Sequence, residues 1–354
     1  MSVGAEPRPG LRELEPYESP QPEVPVRLNT NECPHPLPDA FLNELAAAVR
    51  ELPLHRYPDG NMRRLLRELA ATAMHPLEGV WAANGSNEIL TQLLQAYGGP
   101  GRRAVVFEPT YLLHRRLCML TYTEVEELRL DGGFELGDAQ VGAAIAAAPD
   151  IVFVCSPNNP TGNAQPLSSI VAIAQGLPDS LVIVDEAYGE FAPAGSAQAL
   201  IAGNPNIAIT RTFSKAFALA GARLGYALAA PSVIEDLRRV RLPYHLSSLT
   251  QTAGLVALRH RGDASALLGA IRVQRDRITR ELRSIAGVTV YPSDANFVLF
   301  VPPGNATDVW QALLDRGVLV RDLTAVVPNA LRVTAGTEVE TGRFLHAIKE
   351  VLAR

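Results

Sequence analysis

Four short apolar runs, each unbroken by a charge, constrain the fold more than any other feature of this chain. They are Ala104–Phe107, Ile151–Val154, Leu181–Val184 and Ile207–Ile209, bounded by polar or turn residues and separated by helical patterns. A strand with one wet face alternates apolar and polar residues. An unbroken run of this length suits a strand covered on both faces, as in a mostly parallel sheet flanked by helices. From Val80 onward the alternation of runs and helices therefore predicts an α/β lobe. Helical spacing also predicts helices over Asp39–Leu52 and Met62–Ala73.

After about residue 255 the texture changes. A long polar helix over Ala264–Ile285 precedes short strands at Val288–Tyr291, Phe297–Val301 and Leu331–Thr334, with helices at Ala306–Arg316 and Glu340–Leu352. This reads as a smaller α+β lobe. At 354 residues two lobes are the default. The division expected is an N-terminal arm (1–28), a large domain (49–254) and a small domain made of 29–48 and 255–354.

Composition removes several function classes. Net charge is −5 and the basic residues are scattered, which argues against nucleic acid or an anionic membrane surface as partner. No apolar run is long enough to span a bilayer, and the Pro- and Glu-rich start has no signal-peptide core. Cys33, Cys118 and Cys155 are too far apart for a disulfide framework or a metal pattern, and the seven histidines show no ligand spacing. A cytoplasmic protein without a metal is expected. Gly99-Pro100-Gly101-Arg102-Arg103-Ala104 loosely fits a dinucleotide fingerprint, but it precedes a strand where that motif must follow one.

Ligands of open α/β sheets bind beyond the carboxyl ends of the strands. Three of the four runs lead there into polar residues: Glu108-Pro109-Thr110-Tyr111, Cys155-Ser156-Pro157-Asn158-Asn159-Pro160-Thr161-Gly162 and Asp185-Glu186-Ala187-Tyr188. The fourth leads into Thr212-Phe213-Ser214-Lys215. A lysine desolvated at such a place becomes a nucleophile toward aldehydes, which points to a Schiff base with pyridoxal 5′-phosphate. The other residues fit that cofactor. Asp185 would keep the ring nitrogen protonated, so that the ring acts as an electron sink. Asn159 and Tyr188 offer donors to the ring's 3′ oxygen, and Tyr111 an aromatic face. Asn84-Gly85-Ser86-Asn87-Glu88 opens a helix whose first N–H groups bind anions, and Ser214 and Arg223 would complete the phosphate nest. Singly, each has a plainer reading: Asp185 as a turn cap, Ser86 as a helix cap, Tyr111 as a rim tyrosine.

Together the motifs resemble the fold-type I, class I/II aminotransferases and, within them, the enzymes that act on histidinol phosphate. The resemblance runs from Leu14-Glu15-Pro16-Tyr17 and Leu28-Asn29-Thr30-Asn31-Glu32 through Arg56-Tyr57-Pro58, Gly85-Ser86-Asn87-Glu88 and the stretches just quoted to Val320-Arg321-Asp322 and Leu331-Arg332-Val333-Thr334. It implies that Lys215 carries the cofactor and moves the substrate proton, with Asp185 and Tyr188 assisting. It implies that Gly85, Ser86, Asn87, Ser214 and Arg223 hold the cofactor phosphate, and that Tyr57 reaches it from a second subunit of a homodimer with shared sites. It implies that Arg332 clamps the glutamate carboxylate and that Arg321 and Tyr17 bind the phosphate of histidinol phosphate, the arm folding over the site. The implied reaction converts histidinol phosphate and 2-oxoglutarate into imidazole acetol phosphate and glutamate. Rivals on the same scaffold are an aromatic amino acid aminotransferase, a phospho-amino-acid decarboxylase and a cofactor-sensing regulator. Where the family usually shows Asn-Glu-Asn-Pro, this chain has Asn31-Glu32-Cys33-Pro34.

Overall fold

The structure, a computed structural model, describes residues 4–6, 8, 10–14, 16, 21–193 and 195–353. Strand β1 (Val26–Arg27) stands apart. The main sheet has seven strands: β2 (Val80–Ala83), β3 (Arg103–Glu108), β4 (Glu124–Arg129), β5 (Ile151–Cys155), β6 (Leu181–Asp185), β7 (Ile207–Thr212) and β8 (Gly225–Leu228). Their spatial order is β2-β8-β7-β6-β5-β3-β4, and every pairing is parallel except the two made by β8. The unbroken apolar runs behave as their composition predicts: β5 and β6 are buried along their whole length.

Three strands of this sheet, β2, β4 and β8, are not among the four runs of the sequence reading. β4 is an edge strand whose Glu124, Glu126, Glu127 and Arg129 keep it partly solvated, so no apolar run marks it. β8 opens on a glycine and is only four residues long.

A second sheet, ordered β12-β13-β10-β9 and wholly antiparallel, is built from β9 (Thr289–Val290), β10 (Phe297–Val301), β12 (Arg321–Asp322) and β13 (Leu331–Thr334). Between them β11 (Val318–Leu319) pairs in parallel with β1, which ties the start of the chain to this half. The helix Asp39–Arg50 packs on the helix Ser248–Arg259 of the main-sheet half. The long helix covers Arg261–Arg283 and lies on β9 and β10.

Two large hydrophobic cores result, besides a small cluster of Leu299, Leu323, Val327 and Ala330. One surrounds the main sheet and contains Phe213; the other surrounds the second sheet and contains Tyr188 and Ala216. Lys215 therefore sits on the seam between them. Among the described residues no helix is long and apolar enough to cross a membrane.

Candidate active site

The carboxyl ends of β3, β5, β6 and β7 open on a cavity of about 560 Å³ at that seam. Ser86, Asn87, Tyr111, Asn159, Asp185, Tyr188, Ser214, Lys215, Arg223, Arg321 and Arg332 all line it. Gly85 is not among the lining residues but abuts one of them, Arg223. Tyr57 is elsewhere on this chain: it is 80% exposed and stacks on Tyr244 with ring centroids 4.5 Å apart. Tyr17 lies outside the described residues.

Lys215 follows β7, and its Nζ donates to the carbonyl of Thr30 at 3.2 Å. Burial lowers its pKa to about 8; repulsion from Arg332 and Arg223 adds to this, and Glu32 opposes it. Asp185 ends β6 and is fully buried. Its Oδ1 accepts from Thr210 Oγ1 at 3.0 Å, and its Oδ2 faces Nε2 of His114 at 3.1 Å. His114 is a site residue that the sequence reading misses. It is buried, stacks on Phe153 at 4.8 Å and meets the edge of Tyr111 at 5.6 Å. Its one signal is position: it lies one helical turn after Tyr111, on the first turn of the helix Leu113–Thr121.

Donor orientation is set by second contacts. Arg332, buried on β13, donates from Nη1 to Asn159 Oδ1 and from Nη2 to the carbonyl of Asn29 at 2.8 Å. With its oxygen occupied, Asn159 has its amide N–H groups left to donate. The Tyr188 hydroxyl accepts from Asn31 Nδ2 at 2.9 Å, which leaves its own O–H to donate. Burial pushes that phenol up to about 12, so it stays protonated at neutral pH.

The anion cradle depends on two close approaches. Gly85 has φ +80°, and a Cβ there would lie 2.7 Å from Nη2 of Arg223. A Cβ on Gly225 would lie 2.4 Å from both Gly85 C and Ser86 N. These glycines let the turn before the helix Ser86–Tyr97 press against the start of β8. Arg223 reaches across and donates from Nη1 to Ser214 Oγ at 3.2 Å. Glu88 steadies the turn by accepting from the Asn84 backbone N–H at 2.7 Å. The result is a helix N-terminus, a serine hydroxyl and a guanidinium facing one space, a donor set suited to a phosphate dianion.

Comparison with known proteins agrees with this chemistry. Residues 23–348 match the family described as aminotransferase class I and II. The chain belongs to the class I and II aminotransferases. It is 48% identical to a histidinol-phosphate aminotransferase of Mycolicibacterium smegmatis, over 97% of this chain and 93% of the relative. It is 47% identical to the one of Frankia casuarinae, over 98% and 90%. Its fold matches the histidinol-phosphate aminotransferase of Sinorhizobium meliloti, solved in complex with pyridoxal-5′-phosphate, with a TM-score of 0.84 at 24% identity, covering 94% of this chain and 92% of that one.

As an aminotransferase of this family the chain uses pyridoxal phosphate. The structure fits that group. The cavity presents an amine lowered toward neutrality, a buried carboxylate held by two partners, two donors with their acceptors already filled, and an anion cradle that only glycines keep open.

Proposed function

We propose that this aminotransferase exchanges an amino group between L-histidinol phosphate and 2-oxoglutarate, giving imidazole acetol phosphate and L-glutamate in the biosynthesis of histidine. The observation that carries this reading is Arg321. It places a guanidinium on the same cavity as Lys215 and Arg332, beside Leu323 and Val326, in a chain whose relatives bear that activity in their names. A guanidinium pairs with a carboxylate or with a phosphate monoester, so one cavity serves glutamate and histidinol phosphate in turn. That alternation makes the exchange ping-pong. An uncharged aromatic donor would give Arg321 nothing to bind.

The geometry of the cavity supports the following roles. Ser86, Asn87, Ser214 and Arg223, with the backbone at Gly85, hold the cofactor phosphate, and Tyr111 covers the ring. Asp185 holds a proton on the ring nitrogen, and its own charge is steadied by His114 and Thr210. Asn159 and Tyr188 donate to the 3′ oxygen. Bound there, pyridoxal phosphate supplies an electron sink for the amino group in transit. Lys215 Nζ, its pKa near 8, takes the proton from the substrate Cα and returns it during the exchange. Arg332 receives the glutamate carboxylate, and Arg321 with Tyr17 the substrate phosphate.

The active form is a cytoplasmic homodimer. Tyr57, exposed and stacked on Tyr244, reaches the cofactor phosphate of a second copy. Each copy divides into the arm (1–28), a large domain (49–254) and a small domain (29–48 with 255–354). The test is to incubate holoprotein with histidinol phosphate and 2-oxoglutarate, and separately with phenylalanine as donor. Glutamate should form much faster in the first mixture, and Arg321→Ala should hurt that reaction more than the second. Faster glutamate formation from phenylalanine would overturn the assignment.

A further inference from the structure

We infer that Glu32 is a specificity-determining residue that recognises the imidazole ring of the amino donor; the inference rests on the function proposed above. The argument starts from the charges on the cavity. Among the described residues four basic side chains line it, Lys215, Arg223, Arg321 and Arg332, against two acids, Asp185 and Glu32. Asp185 is buried and committed to His114 and Thr210. Glu32 is exposed, lines this cavity and an adjacent one, and forms no ion pair among the described residues.

Glu32 is also built in. Asn31 adopts left-handed backbone, φ 55°, and its groups are all tied down. Its N–H donates to Thr334 Oγ1 at 3.1 Å, its Nδ2 to Tyr188, and its carbonyl accepts from Asn296 Nδ2 at 3.1 Å. The next residue is thereby turned to the cavity, and the Glu32 carboxylate accepts from Thr30 Oγ1 at 2.9 Å. The carbonyl of that same Thr30 receives Lys215 Nζ. A carboxylate is thus fixed on the segment that touches the reactive lysine, with lone pairs to spare.

Neither anionic end of the proposed substrates wants this carboxylate; Arg321 and Arg332 serve those. What remains of histidinol phosphate is an imidazole, a ring with an N–H donor and, near neutral pH, a fraction of positive charge. A fixed carboxylate binds such a ring and gains nothing from a phenyl ring of similar size. The opposite holds for glutamate, whose side-chain carboxylate Glu32 repels. Glu32 therefore sets a bias between the two half-reactions as well as between imidazole and phenyl.

The experiment uses holoenzyme and Glu32→Gln, with Glu32→Asp as a charge-retaining control and the absorbance of bound cofactor as the check on folding. Kinetics are measured on histidinol phosphate, on phenylalaninol phosphate as the phenyl isostere, and on glutamate. Glu32→Gln should lower kcat/KM for histidinol phosphate about tenfold, the size of one charge-assisted hydrogen bond lost at a wet site. It should leave phenylalaninol phosphate nearly unchanged and lower the KM for glutamate. Glu32→Asp should recover part of the imidazole preference. An equal loss on both phosphate substrates would mean that Glu32 acts only through Lys215, and the inference falls. Unchanged kinetics on all three substrates would also overturn it. If wild-type enzyme does not turn over histidinol phosphate at all, the functional reading fails before Glu32 is tested.

Discussion

Glu190 provides a test of the buried electrostatics under the site. It belongs to a charged group beside Asp185 and β7. Glu186 accepts from Arg211 Nη2 at 3.0 Å, from Ser196 Oγ and from the Ala197 N–H at 2.6 Å, and Arg211 Nη1 donates to the Tyr226 hydroxyl at 3.3 Å. The guanidinium is thus claimed by Glu186 and Tyr226. Glu190 Oε2 is buried and has no hydrogen-bond partner among the described residues. Burial raises its pKa from 4.5 to about 7, although Arg211 pulls the other way. A folded-state pKa above the unfolded one means that the contribution to stability is fully present below pH 4.5 and is lost as pH rises through about 7. At 1.36 kcal/mol per unit, the ionised group costs about 3 kcal/mol at pH 8. Glu190→Gln keeps the shape and removes the charge. It should raise stability by that amount at pH 8 and change it little at pH 5. Urea unfolding followed by tryptophan fluorescence, at fixed pyridoxal phosphate, reads the difference; other titrating groups cancel between wild type and variant. A gain of equal size at both pH values, or a loss at pH 8, would refute the burial argument.

Three further outcomes follow from particular contacts. Gly225→Ala places a methyl 2.4 Å from the backbone of Gly85 and Ser86, so cofactor affinity, read by absorbance titration, should fall at least about tenfold while circular dichroism is retained; unchanged affinity would contradict the close approach. His114→Phe removes the group facing Asp185 Oδ2 and should lower kcat about tenfold with little change in KM. His114→Gln, which keeps an N–H, should recover part of the loss, and equal losses would reduce His114 to a packing role. Recombination of apoprotein with pyridoxal phosphate should speed up as pH rises, with a midpoint near 8. Arg332→Leu removes a neighbouring cation and should move that midpoint upward; a wild-type midpoint near 10.5 would mean that Lys215 is not desolvated.

Why some of the site was legible in the sequence and some was not has one physical root. Parallel strands put all their carboxyl ends on one edge, so Asn159, Asp185 and Lys215 could be gathered without knowing any contact between them. His114 could not, because its role is a contact with Asp185, 71 residues away, made from a neighbouring helix. Nor could the pairing of Glu186 with Arg211, which is made across β6 and β7. The missed strand β8 sharpens the point. It runs against the rest, so Gly225 pairs with Thr212 at the end of β7 and with Ala83 at the end of β2. Its amino end thus lies on the same edge as the carboxyl ends of its neighbours. The loop from Phe213 to Leu224 is therefore pinned at both ends on the active edge, and Lys215 near its start and Arg223 near its finish face the same cavity. The β2 end delivers Gly85 and Ser86 to that point as well. A single reversed strand thus explains how residues on two connections, separated by most of the main sheet's sequence, form one phosphate cradle. A fully parallel β8 would have carried Arg223 to the far side of the sheet.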